Sequence, residues 1–152
     1  MLIGVISDTH GLLRQETLVA LAGVEHILHA GDVGDPAILA TLRNIAPVTA
    51  IRGNIDVHGP CALLPATEMV ELAGQFIYMV HSVHDIDISP KAAGVSVVIS
   101  GHSHQPSIDH KDGVLYINPG SAGPRRFRLP VSVALMTATT DAVQARIVEL
   151  EI

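Results

Sequence analysis

Seven side chains of metal-ligating type stand directly after apolar runs in this chain. Asp8 and His10 follow Leu2-Ile3-Gly4-Val5-Ile6, and Asp32 follows Ile27-Leu28-His29-Ala30-Gly31. Asn54 follows the run that starts at Val48, His81 follows Phe76-Ile77-Tyr78-Met79-Val80, and His102 and His104 follow the run from Val95 to Gly101. If each run is a buried strand, its carboxyl end delivers these side chains to one rim, the rim where open α/β sheets bind ligands. Two carboxylates, one amide and four imidazoles exceed the four donors that a structural zinc takes. They suit two metals that share a carboxylate. The donor mixture favours Mn, Fe, Zn, Co or Ni over Ca or Mg. Two such ions about 3.5–4 Å apart generate a hydroxide between them and clamp a phosphate for in-line displacement. Against Asp8, Asp32 and one hydroxide, two divalent ions leave roughly +1 in the site, so an acidic protein can still draw in a phosphate.

The spacing sharpens this. In extended backbone, residues i and i+2 point the same way, so Asp8 with His10, and His102 with His104, are each expected to reach one metal. Gly31, Gly53 and Gly101 precede Asp32, Asn54 and His102, where glycine is expected to permit tight turns. Taken singly, each donor has an ordinary explanation. Asp and Asn after strands are common turn residues, and His26, His29 and His110 are read as packed or exposed side chains. What points to chemistry is all seven at strand ends.

The elements that must hold these donors can be read from periodicity. Leu2 to Ser7, Glu25 to Ala30 and Val48 to Ile51 are strand-like. Arg14 to Ala22 reads as a helix stopped by Gly23. Asp35-Pro36 reads as an N-cap followed by proline at the first helical position, and Ile38, Leu39, Leu42 and Ile45 fall on one helical face. This βαβαβ order implies a parallel sheet with right-handed crossovers. The second half changes character. Hairpins are expected around Ala73-Gly74-Gln75, Lys111-Asp112-Gly113 and Thr139-Thr140-Asp141, with another buried strand at Val95 to Ser100. The donors at positions 8, 32, 54, 81 and 102 are 21–27 residues apart, about one strand and its return. Two sheets packed face to face with helices outside would bury both sets of strands.

Composition bounds the rest. With 152 residues, 48% apolar and 16% charged, the chain reads as one globular domain over residues 1–152. Trp is absent and Phe and Tyr number two each, so the core must be aliphatic. A net charge of −6 argues against a dedicated nucleic-acid surface; the one basic cluster is Arg125, Arg126 and Arg128. No apolar stretch reaches transmembrane length and no signal segment is apparent. Cys61, the single cysteine, is read as structural. A cytoplasmic protein without a membrane partner is expected, and assembly into a homo-oligomer is left open.

Read in order, Asp8-Thr9-His10, Gly31-Asp32, Gly53-Asn54-Ile55-Asp56, His81 and Gly101-His102-Ser103-His104 resemble the calcineurin-like metallophosphoesterase superfamily. Asn118-Pro119-Gly120-Ser121 resembles a further motif of its small bacterial and archaeal phosphodiesterase branch. The resemblance covers nearly the whole chain. It implies the metallo-dependent phosphatase fold, a four-layer α-β-β-α sandwich of two mixed β-sheets flanked by helices. It also implies a first metal held by Asp8, His10, Asp32 and His104, with Asp32 bridging to a second held by Asn54, His81 and His102. The implied reaction is hydrolysis of a small or nucleotide-like phosphodiester by a metal-bridging hydroxide, with manganese the expected ion. Asn54 would also contact the phosphate, and Ser121 and Arg125 are further substrate-binding candidates.

Two departures matter. Larger phosphatases of the superfamily carry His directly after the motif Asn; Ile55 stands there and cannot donate a proton. Relatives of the small branch often show His-Gly-His around the second-metal histidine, whereas this chain reads His81-Ser82-Val83-His84. His84 or His58 is therefore the candidate leaving-group acid, and good leaving groups and diesters are favoured over alkyl monoesters. The alternatives are a metal-binding interaction scaffold, the role this fold has in the eukaryotic retromer coat, and a phosphomonoesterase or nuclease.

Overall fold

The computed structural model describes residues 1–152. Two five-stranded mixed sheets form it. The first contains β1 (Leu2–Ile6), β2 (His26–His29), β3 (Val48–Ala50), β9 (Ser132–Ala138) and β10 (Val143–Glu149), in the order β10-β9-β1-β2-β3. Its β1, β2 and β3 are parallel, as the crossovers require. The second contains β4 (Thr67–Leu72), β5 (Gln75–Val80), β6 (Val97–Ile99), β7 (Ser107–Lys111) and β8 (Val114–Asn118), in the order β4-β5-β6-β8-β7. Here β5, β6 and β8 are the parallel members.

Three expected hairpins form. Leu72 pairs with Gln75 and Lys111 pairs with Val114, so each loop is two residues long. Ala73-Gly74 and Asp112-Gly113 take positive φ at both positions, as the favoured hairpin turn requires. Gln75, expected in the first turn, is therefore the opening residue of β5. Ala138 pairs with Val143 in the third hairpin.

The sheets face each other across an aliphatic core that includes Ile3, Val5, Leu28, Ile77, Met79, Val97, Ile99, Ile117 and Met136. Helix α1 (Gln15–Ala20) and helix α2 (Pro36–Arg43) cover the outer face of the first sheet. The Asp35 carboxylate accepts a hydrogen bond from the Ala37 amide at 2.9 Å, a cap worth about 1 kcal/mol. Ile38, Leu39 and Leu42 then turn inward. No helix is long and apolar enough to cross a membrane.

The fold class is the expected one, but its fourth layer is thin. Residues 81–96, which connect β5 to β6, contain only a short 3-10 turn, Val83–Asp85, and no α-helix. Asp85-Ile86-Asp87-Ile88 alternates polar and apolar residues with period two, which suits extended chain. Ile86 and Ile88 pack on Tyr78, Val80, Val95, Val98 and Val114, and so shield the outer face of the second sheet without a helix.

Candidate metal centre

The parallel strands of both sheets end at one edge, and their loops meet there. Asp8 and His10 leave β1, Asp32 leaves β2 and Asn54 follows β3, while His81 leaves β5 and His102 and His104 follow β6. Five of the seven donors have left-handed backbone: Asp8 (φ 56°), His10 (48°), Asp32 (55°), His102 (70°) and His104 (61°). Such conformations are uncommon outside glycine and persist only where surroundings over-determine them. Loop-to-loop bonds do so here. The Asp8 amide donates to the Gly31 carbonyl at 3.0 Å and the His10 amide to the Asp32 carbonyl at 2.9 Å. The extended-backbone argument for the Asp8–His10 and His102–His104 pairs is thereby corrected. Asp8 and His10 do meet, but across a left-handed turn, and His102 and His104 diverge.

Their partners show the divergence. His104 Nε2 lies 3.3 Å from Asp8 Oδ1, with the His10 ring beside it. His102 Nδ1 lies 3.2 Å from Asn54 Oδ1, with its ring edge-on to His81. Between these ends stand the two carboxylates. Asp8 Oδ1 is 3.6 Å from His10 Nε2 and 3.8 Å from His81 Nε2. Asp32 Oδ2 is 3.4 Å from His10 Nε2 and 3.2 Å from His81 Nε2. Each carboxylate fixes its second oxygen elsewhere. Asp8 Oδ2 accepts from the Ser7 hydroxyl at 2.6 Å and the His102 amide at 3.0 Å. Asp32 Oδ1 accepts from the Ile55 amide at 3.0 Å.

Asp8 Oδ1, His10 Nε2, His81 Nε2 and His104 Nδ1 are buried without a hydrogen-bond partner. Buried polar atoms are rarely left so, and the first three converge on one point. His81 donates Nδ1–H to the Ala30 carbonyl at 2.7 Å, which leaves the Nε2 lone pair facing Asp32; a carbonyl behind the ring fixes metal-binding imidazoles in this way. The donors thus fit divalent metal. Asp8, His10 and His104 form one group within ligand reach, and Asp8, Asp32 and His81 another. Asp8 is a member of both groups, and Asp32 Oδ2 has an imidazole of each within 3.4 Å. Asp8 Oδ1 also stands between the groups.

Ionisation follows from this crowding. Burial alone would raise the Asp8 carboxyl, but His10, His104 and Ser7 outweigh it and hold Asp8 well below the ordinary carboxylate range. Burial opposes ionisation of Asp32 too, and His81 with the Ile55 amide reverses the shift. His10 is raised chiefly by Asp8, against the opposing effect of burial. His81 is lowered by burial, but Asp32 and the Ala30 carbonyl bring the net shift upward.

The glycines before the donors serve close approach. Gly53 and Gly101 lack positive φ; a Cβ on Gly53 would collide with the Asp32 carboxylate, and one on Gly101 with Ser7 and Asp8. Tight turning, the sequence expectation, therefore does not account for these two positions.

Several positioning residues were not legible as such. His29 is wholly buried; its Nδ1 accepts from the Gly31 amide at 3.2 Å and its Nε2 meets the Thr9 hydroxyl at 3.0 Å. Thr9 in turn donates to the Val33 carbonyl at 2.8 Å, so His29 ties the Asp8 loop to the Asp32 loop. Burial pushes His29 down to about 4. Asp56 accepts from the amides of Val33, Gly34 and Gly53 and fastens the Asp32 and Asn54 loops together. Its place in the quoted Asn54 motif was the available signal. Asn118 donates to the Gly101 carbonyl and the Ser103 hydroxyl, each at 3.0 Å. Ser121, expected to meet substrate, is buried and donates to the Asp8 carbonyl at 3.1 Å instead.

The candidate acids separate. His84 is exposed and lines a cavity of about 680 Å³ with Asn54, His81 and His102. His58 is exposed and is not among the residues lining it. On the other side, His10 and His104 share a cavity of about 300 Å³ with Pro124, Arg125, Arg126 and Phe127. Arg125 also donates, at 3.5 Å, to the Leu129 carbonyl. Cys61 is buried in the core beneath the helices, and burial pushes its thiol up.

Residues 1–141 match the calcineurin-like phosphoesterase superfamily domain. A probable metallophosphoesterase of Methanocaldococcus jannaschii is 34% identical over an alignment that covers 99% of this chain and 82% of that protein. The structure of an archaeal phosphodiesterase superposes with a TM-score of 0.78 at 22% identity, covering 97% of this chain and all of that one. Zinc-complexed Vps29 from Entamoeba histolytica also gives 0.78 at 22% identity, with 98% and 99% covered. At such identities the structural matches speak for the fold.

Proposed function

The chain belongs to the calcineurin-like phosphoesterase superfamily, and we propose that it is a cytoplasmic dinuclear-metal phosphodiesterase acting on small or nucleotide-like phosphodiesters. The observation that carries this reading is the convergence of buried, unpartnered Asp8 Oδ1, His10 Nε2 and His81 Nε2. Asp8, His10 and His104 would hold one ion, Asn54, His81 and His102 the other, and Asp32 both. Manganese is the expected metal, and Fe, Zn, Ni and Co suit the same donors. When bound, two such ions supply a hydroxide nucleophile and offset the charge that develops on phosphate.

The chain's own residues do the rest. Asp8 and Asp32 stay ionised under the imidazoles that face them. The Ala30 carbonyl orients His81. Asn54, exposed at the cavity mouth, can donate its amide to a phosphate oxygen. His84 lines that cavity and is the side chain placed to protonate a leaving oxygen there. Ile55 contributes only its backbone amide, to Asp32, so departure of a poor alkoxide depends on His84 or water. Diesters with good leaving groups are therefore favoured.

The test is hydrolysis of bis(p-nitrophenyl) phosphate by chelator-stripped protein, before and after addition of Mn²⁺, with bound metal measured in parallel. Turnover that returns with about two ions per chain is the expected result. Folded, metal-loaded protein inert with every one of the five metals would favour the scaffold alternative.

A further inference from the structure

Eight non-glycine residues have positive φ. Asp8, His10, Asp32, His102 and His104 are donors of the metal centre, and Ala73 and Asp112 sit in hairpin turns. The eighth is Phe127 (φ 53°). It lies in neither place, and a bulky residue rarely adopts this conformation. Phe127 is also 90% exposed, the most exposed large apolar side chain in a protein with four Phe and Tyr residues in all. A strained backbone that presents an aromatic ring to solvent gains nothing from core packing. The ring is not isolated: Phe127 and Arg126 line the cavity of about 300 Å³ that His10 and His104 also line. Arg125 shares the lining, and the Ser121 hydroxyl anchors the start of this loop with its one proton shared between the Asp8 carbonyl at 3.1 Å and the Pro124 carbonyl at 3.3 Å.

We propose that residues 124–127 form a subsite for the retained, non-leaving half of the substrate. Arg126 pairs with a phosphate oxygen and Phe127 stacks on a flat ring such as a nucleobase. The proposal rests on the phosphoesterase reading and deepens it by assigning the substrate class, a nucleoside phosphodiester, to a named loop. The layout is coherent with the rest of the site. The aromatic half would lie on the His10–His104 side, and the leaving half on the opposite side, where Asn54, His102 and His84 line the larger cavity. Arginine presents fixed donors to phosphate, and base stacking on an aromatic side chain tolerates any base because each has a π-face.

The experiment is calorimetric titration of the Mn²⁺-loaded protein with thymidine 5′-monophosphate and with methyl phosphate, which share a phosphomonoester head and differ in the ring. Wild-type protein is expected to prefer the thymidine ligand by about tenfold, the scale of one stacked base. Phe127→Ala should abolish that preference with methyl phosphate affinity held, and Phe127→Leu should keep only part of it. Arg126→Ala should weaken both ligands alike. Equal affinities in the wild type, no binding of either ligand, or a preference that survives Phe127→Ala would overturn the subsite. If the Phe127-dependent preference is present but thymidine 5′-(p-nitrophenyl phosphate) is not hydrolysed, the subsite stands and the phosphodiesterase reading fails.

Discussion

The two ends of the donor cluster are held differently. At one end Asp8 and His104 are almost fully buried, and His10 is only slightly exposed, beneath the loops that follow β1 and β6. At the other, Asn54 and His102 stand in solvent at the mouth of a cavity of about 680 Å³. The enclosed end is pre-organised. Asp8 Oδ1 and His10 Nε2 there are already desolvated and lack partners, so an ion relieves unsatisfied groups without reorganising them. At the open end His102 and Asn54 already satisfy each other, so an ion must displace that contact. The enclosed site should bind metal first and more tightly, and the open site should fill last and face the leaving group.

If Asp32 bridges two ions, its loss should erase the difference between the two ends. In Asp32→Asn, metal content should drop at both sites and hydrolysis should fall by a hundredfold or more, since groups one step removed from a metal already cost 10–100-fold. Metal analysis with the rate on bis(p-nitrophenyl) phosphate checks this; a variant with two bound ions and wild-type rate would remove Asp32 from the bridge.

The next effect tests the asymmetry directly. His104→Ala should weaken the tighter ion by about a hundredfold, and His102→Ala should weaken the looser one by about tenfold with the tighter ion kept. Calorimetric titration with Mn²⁺ resolves the two. Equal losses at both sites in either variant would show that burial does not rank them.

The enclosed end also depends on His29 remaining neutral. Burial lowers His29 to about 4, while in the unfolded chain it titrates near 6.5. Between those values the unfolded state binds the extra proton, so the stabilisation is present above about pH 6.5 and is lost as pH falls toward 4. From pH 7 to pH 5 this amounts to roughly 2 kcal/mol. Denaturant unfolding at both pH values should show a shallower acid loss in His29→Gln than in the wild type, and equal slopes would contradict the neutral, buried role.

These asymmetries mark what the sequence could and could not convey. The donors were legible because strands alternate with returns at regular spacing, so each apolar run pointed to its own last residue. The three hairpins and the Asp35 cap were legible because local chemistry sets them. What was hidden depends on contacts between distant segments. Gly53 is glycine because of Asp32, and Gly101 because of Ser7 and Asp8. Ser121 points at the Asp8 carbonyl because the loop after β8 folds under the loop after β1. The missing fourth-layer helix was visible only as Ile86 and Ile88 two residues apart, a pattern whose meaning comes from the sheet face they cover.

The smallest effect concerns the open end. His84 lines the cavity with Asn54 and His102, whereas His58 does not. If His84 protonates the leaving oxygen, its value must scale with how badly that oxygen needs a proton. p-Nitrophenolate departs unaided, so His84→Ala should change bis(p-nitrophenyl) phosphate hydrolysis by no more than about twofold. A nucleoside 2′,3′-cyclic phosphate expels an alkoxide, and there the same variant should lose about tenfold. That is below the usual range for a general acid, because water can reach an exposed position and substitute. His58→Ala should follow the wild type on both substrates. The difference between leaving groups isolates proton donation from any shift in the neighbouring His81 and His102, which would slow both reactions together. Equal losses on the two substrates would therefore assign His84 to positioning His81 and leave water as the acid.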